Sequence, residues 1–148
     1  MNLSDAIAPI NTFFIDTAPI IYYIEAHPQF GPLVKNVIDA VQAGKFVAFS
    51  SVVTLTEVLP KPIEAGDEKL ARRFAEFLKF GRNINLIEIS EKIADKAGRL
   101  RGEYPHLRTI DAIQISAALA VNADMFLTND AALKKIKEIG VLVLKDYL

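Results

Sequence analysis

Two kinds of apolar pattern alternate along this chain. Short continuous apolar runs recur at Phe13–Ile15, Phe46–Ser50, Leu86–Ile89, Met125–Thr128 and Val141–Leu144. Runs of that length without polar alternation predict strands buried on both faces. Between them the apolar residues take helical spacing. In PLVKNVIDAVQAG, Leu33, Val34, Val37, Ile38 and Val41 share one face, and Gly44 closes the helix. Thr17 is placed to cap a helix through about Ala26, with Pro19 tolerated in its first turn. Ser51 caps a helix that Pro60 ends, and Asp67 caps one through about Phe80. Ser90 caps a helix to about Tyr104, Thr109 caps the helix over IDAIQISAALAVN, and DAALKKIKEIG forms a short helix closed by Gly140. His27–Pro32 and Pro60–Asp67 are expected to be loops. Strands alternating with helices predict an α/β fold, a parallel sheet covered by helices on both faces.

That pattern gives two strand-end aspartates a meaning. The run FFI stops at Asp16 and the run MFLT at Asn129 and Asp130, each as a helix begins. Open α/β sheets bind ligands outside the carboxyl ends of their strands, at a topological switch point. Glu57 lies in the apolar helix after the second strand, and Asp111 in the first turn of the helix before the fourth. Each acid also has a plainer use. Asp16 and Asp130 can leave a strand and cap a helix, and Asp111 can complement a helix dipole. Glu57, flanked by Val52, Val53, Leu55, Val58 and Leu59, either escapes to solvent or serves a cleft.

Taken in order, FIDTAPIIYYIE, SSVVTLTEVL, LRTIDAIQISAAL and ADMFLTND resemble the PIN domain, and within it the VapC-type toxin ribonucleases. The resemblance runs from about Phe13 to Leu144, within one domain spanning 1–148. It implies a five-stranded parallel sheet in the order 3-2-1-4-5. It also implies that Asp16, Glu57, Asp111 and Asp130 share one acidic pocket for Mg²⁺ or Mn²⁺. Thr128 matches the family's hydroxyl residue, and Asn129 is expected to line the same pocket. Asp16 and Asp111 are the expected core ligands. The function implied is a metal-dependent endoribonuclease that cleaves RNA phosphodiester bonds with activated water, as the toxin of a toxin–antitoxin pair. An antitoxin protein is the expected partner, and surplus apolar surface suggests a homodimer. The alternative is a non-catalytic PIN-like module that binds RNA or protein.

Composition narrows the choice. The 148 residues carry 17 basic and 18 acidic side chains, a net charge of −1, which excludes a broadly basic nucleic-acid coat. With the four acids set aside the remainder is −1 plus 4, or +3. Arg72, Arg73, Lys79, Arg82, Arg99, Arg101 and Arg108 are candidates for a basic rim that holds phosphates. Arg108, three residues before Asp111, is the foremost for RNA binding. Cysteine is absent, which removes thiolate chemistry and suits a reducing cytoplasm. No apolar run approaches the ~20 residues of a membrane span, and the N-terminus lacks the basic and apolar regions of a secretory signal. His27 and His106 lie beside prolines without metal-ligand spacing and are expected at the surface. A haloacid-dehalogenase phosphatase would need a second aspartate where Ala18 stands, and a receiver domain a neighbouring acidic pair that Asp16 lacks.

Overall fold

The computed structural model covers residues 1–148. Five strands form one parallel sheet: β1 (Thr12–Ile15), β2 (Val47–Ser51), β3 (Ile84–Ile87), β4 (Met125–Thr128) and β5 (Gly140–Val143). Their spatial order is β3-β2-β1-β4-β5, as expected. The chain builds outward from β1 through β2 to β3, then returns to lay β4 on the other side of β1. Register fixes the junction: Phe14 faces Phe49 on one side and Phe126 on the other. The carboxyl ends of β1 and β4 therefore lie side by side at the switch point.

Successive side chains of a strand point to opposite faces. Phe13 and Ile15 enter one core with Ile20 and Ile24 of α2 (Thr17–Ile24), Val34, Val37, Ile38 and Val41 of α3 (Gly31–Gln42), and Phe74, Phe77 and Leu78 of α6 (Glu68–Phe80). Phe14 enters the other, stacked on Phe126 at 5.5 Å, with Ile93 and Leu100 of α7 (Glu91–Glu103) and Ala112 and Ile115 of α8 (Thr109–Ala120). No helix is long and apolar enough to cross a membrane.

Several local expectations need correction. Asp16, not Thr17, caps α2, because its carboxylate reaches the Thr17 N–H. Thr109 caps nothing; Arg108 holds the cap position of α8 without a side-chain cap bond. The segment read as a loop after α4 (Val52–Val58) contains a short helix, α5 (Pro60–Glu64). Its prolines sit in the first turn, where no N–H is required. Strand β3 starts two residues earlier than the apolar run suggests, since Ile84–Ile87 are the residues that pair with Ala48–Ser51. The helix expected from Asp130 is a 3₁₀ turn over Ala131–Lys135. The leading segment, for which the pattern offered no element, carries α1 (Leu3–Ile7), opened by a capping box between Asn2 and Asp5.

Candidate active site

The carboxyl ends of β1 and β4 form the floor of a cleft of about 270 Å³. Asp16, Glu57, Asp111 and Asp130 all line it, with Thr128, Asn129 and Arg108. Three larger hollows lie beside or away from it: two, of about 580 and 550 Å³, hold none of these acids, and one of about 320 Å³ shares only Glu57. Chemistry, not size, singles out the acidic cleft.

Asp16 is the fixed point. The β1–β4 ladder continues through its N–H, which donates to the Leu127 carbonyl at 2.9 Å. Its Oδ1 accepts from the Thr17 N–H at 2.9 Å and its Oδ2 from the Thr128 hydroxyl at 2.8 Å. Thr128 is fully buried and also accepts from the Asp130 N–H at 3.2 Å. One hydroxyl thus ties together the two strand-end aspartates. Burial pushes the Asp16 carboxyl up to about 6. Its two hydrogen bonds oppose that shift, and the charges of Asp111 and Glu57 add to it.

Asp111 is buried in the first turn of α8, and Arg108 binds both of its oxygens, Nε to Oδ2 at 2.8 Å and Nη2 to Oδ1 at 3.3 Å. Asp130 is half-buried and uses Oδ1 to cap the 3₁₀ turn through the Ala132 N–H. Its cap role and its place in the cleft coexist. Asn129 accepts from the Lys145 N–H at 2.9 Å and donates to the Tyr22 hydroxyl at 3.2 Å. It thereby ties α2 to the 3₁₀ turn over Leu144–Tyr147 that follows β5.

Glu57 sits on α4 and accepts from the Thr17 hydroxyl at 2.5 Å. Thr17 also meets the buried Thr54 hydroxyl at 3.3 Å. Behind it, Gln114 of α8 donates to Thr54 at 2.8 Å and accepts from the Ser51 hydroxyl, while Ser50 donates to Thr54 at 3.1 Å. This buried chain joins α2, α4 and α8, the helices that carry Thr17, Glu57 and Asp111. No buried side-chain nitrogen or oxygen lacks a partner, so the network is complete rather than strained. The sequence reading missed it. Its signal was the run of hydroxyl residues Ser50, Ser51 and Thr54 in an apolar segment, and Gln114 amid Ile113, Ile115 and Ala117.

Of the seven cations considered for a phosphate rim, only Arg108 lines the cleft. Arg99 pairs with Asp95, Arg101 donates to the Leu107 carbonyl and Arg73 to the Ile24 carbonyl. His27 is not a plain surface residue. Its Nδ1 accepts from the Gln29 and Phe30 N–H groups at 3.1 Å, and its ring lies 4.8 Å from that of Tyr22.

No three carboxylates converge into a ready-made metal cage. The donor set still suits a hard divalent cation. It is all oxygen, and its charges repel one another enough to help raise the Asp16 carboxyl. Mg²⁺ keeps several of its waters and needs only one or two carboxylates.

The PIN domain family model matches residues 13–139. No curated protein matches the chain by sequence. Among solved structures, a chain of the VapBC2 structure from Rickettsia felis, bound to a DNA fragment from its promoter, superposes with a TM-score of 0.73 at 21% identity. The match covers 89% of this chain and 98% of that one. A toxin–antitoxin complex from Klebsiella pneumoniae gives 0.65 at 22% identity, covering 88% and 95%. The sarcin–ricin-loop-cleaving toxin VapC20 from Mycobacterium tuberculosis gives 0.61 at 14% identity, covering 77% and 86%. At these identities the likeness is one of fold.

Proposed function

This chain belongs to the PIN-domain family, and we propose that it is a divalent-metal-dependent endoribonuclease, the toxin of a toxin–antitoxin pair. The observation that carries the proposal is the cleft itself: four acids from four separate segments, brought to one switch point. Asp16 and Asp111 are the core ligands for Mg²⁺ or Mn²⁺, with Asp130 and Glu57 completing the set. A bound ion would supply charge stabilisation at the phosphodiester and a more acidic water. The protein's part is positioning. Thr128 aims the Asp16 Oδ2, and Thr17 holds the Glu57 Oε1, leaving its Oε2 for the ion or for a proton of the attacking water. Asn129 keeps the Tyr22 wall in place.

An antitoxin protein is the proposed partner, in keeping with the toxin–antitoxin complexes among the solved structures of similar fold. A homodimer would use exposed apolar side chains such as Phe80 and Ile63. A cytoplasmic location is part of the same proposal, in keeping with an RNA substrate and a chain without cysteine. The binding-only alternative draws on the Arg108–Asp111 pair, which occupies both oxygens of one acid.

Purified protein incubated with total RNA decides between the two. Cleavage with Mg²⁺ or Mn²⁺, lost with chelator and in Asp111→Asn, is expected. Intact RNA under all metal conditions, from protein that still binds it, would establish the binding module instead. Toxicity has its own test: expression of the wild type alone should arrest growth and Asp130→Asn should not, at matched protein levels.

A further inference from the structure

Arg108 and Asp111 are unequal partners. The Arg108 side chain is 75% exposed and the Asp111 side chain 7%. The carboxylate is anchored in the first turn of α8, whereas the guanidinium reaches it from solvent. Both Asp111 oxygens are taken, one by Nε at 2.8 Å and one by Nη2 at 3.3 Å. The Arg108 guanidinium is held more firmly charged than usual, first by its bond to Asp111, with the fields of Asp130 and Asp16 contributing. It therefore stands over the same set of carboxylates that a divalent ion would need.

We propose that Arg108 is the resident cation of the cleft: it holds Asp111 until a divalent ion takes that carboxylate, and then turns to a phosphate of the RNA. The proposal rests on the nuclease reading of the same site and adds an exchange that reading does not contain. Two cations cannot share one carboxylate face without repulsion, so ion entry displaces the partner that is free to move. A planar guanidinium fork fits phosphate as well as carboxylate. Arg108 is also the only arginine or lysine lining the cleft. The arginine thus competes with the metal and assists the substrate, and its removal must shift the two affinities in opposite directions.

Mn²⁺ titration of full-length wild type, Arg108→Ala and Asp111→Asn, by calorimetry, reads the first affinity. Arg108→Ala is expected to bind Mn²⁺ about fivefold more tightly, the range set by an exposed ion pair, and Asp111→Asn more weakly than wild type. Binding of a 2′-O-methylated single-stranded RNA across a salt series reads the second. In saturating Mn²⁺, Arg108→Ala should flatten the salt slope by about 0.7, one phosphate contact on a single strand. In chelator, where Arg108 is engaged with Asp111, the slope should not change. Equal or weaker Mn²⁺ binding by Arg108→Ala, with Asp111→Asn still impaired, overturns the exchange and leaves the metal site standing. A slope lowered equally with and without metal makes Arg108 a permanent phosphate contact and also overturns it. No Mn²⁺ binding by the folded wild type overturns the metal reading and the exchange together.

Discussion

Replacing Asp16 by asparagine tests whether its carboxylate is placed for a cation or for the helix it caps. Its folded carboxyl takes its proton near pH 6, against 3.8 for the unperturbed group. The gap between those values is worth about 3 kcal/mol at ~1.36 kcal/mol per pH unit. The sign follows from proton binding. Between roughly pH 4 and 6 the folded chain holds more protons than the unfolded one. The Asp16 contribution to stability therefore falls as pH rises through that window and stays at its least favourable above pH 6. The Asp16→Asn variant carries no such penalty. The single oxygen of its amide can keep the Thr17 N–H but not also the Thr128 hydroxyl, a loss of ~1 kcal/mol. Metal-free Asp16→Asn should therefore be more stable than wild type at pH 7.5 by about 1–2 kcal/mol. For a chain of this size that is about 3–6 °C in Tm. The advantage should shrink by about two thirds near pH 5, vanish near pH ~4.5 and turn slightly against the variant by pH ~4, where the lost hydrogen bond dominates. Saturating Mn²⁺ should reverse the order, since wild type gains about 2.7 kcal/mol at one hundred times its Kd and the variant gains less. Thermal melts across pH, with chelator and with Mn²⁺, supply the assay. If Asp16 is only a helix cap, the variant should be no more stable than wild type, since asparagine caps about as well as aspartate, with no pH convergence and no metal effect, and the electrostatic reasoning fails.

Glu57→Gln should keep the fold, because Thr17 can still donate to the amide oxygen, and should reduce cleavage most at limiting metal; undiminished activity there removes Glu57 from the site. Gln114→Leu should cost about 1–3 kcal/mol in urea unfolding, since Ser51 and Thr54 lose their shared partner inside the protein. Mn²⁺ affinity should fall with it, as Thr54 and Thr17 are the route to Glu57, and an unchanged affinity would confine the network to stability.

The sheet was legible because four of the five strands centre on short apolar runs and several of the helices that follow carry a side-chain cap. Ser51, Asp67 and Ser90 cap the helices expected of them. Local pattern could not show α5, because prolines spaced two apart read as a break until their place in a first turn is known. Nor could it fix the start of β3, which is set by pairing with β2 rather than by its own apolar residues. Three of the four acids could be named because strand ends and a helix start locate them, and Glu57 because it is the one carboxylate of an apolar helix. Their electrostatic state could not. The high proton affinity of Asp16 comes from burial and from charges 41 and 95 positions away in the chain, Glu57 and Asp111. The Ser51–Gln114–Thr54–Thr17 chain likewise joins residues that only the fold brings together. Arg108 stood out among seven cations by its spacing from Asp111, and the spacing proved to mark an ion pair within the cleft.

The chemistry of the cut ends tests the central claim most directly. On the proposed function, water made more acidic by a bound ion would attack phosphorus from outside the RNA, and the 2′-hydroxyl would take no part. RNA cleaved by the purified protein in Mg²⁺ or Mn²⁺ should carry linear phosphomonoester ends, with cleavage lost in chelator and in Asp16→Asn. Ends bearing 2′,3′-cyclic phosphate, formed equally in chelator and by the Asp16→Asn protein, would contradict the account.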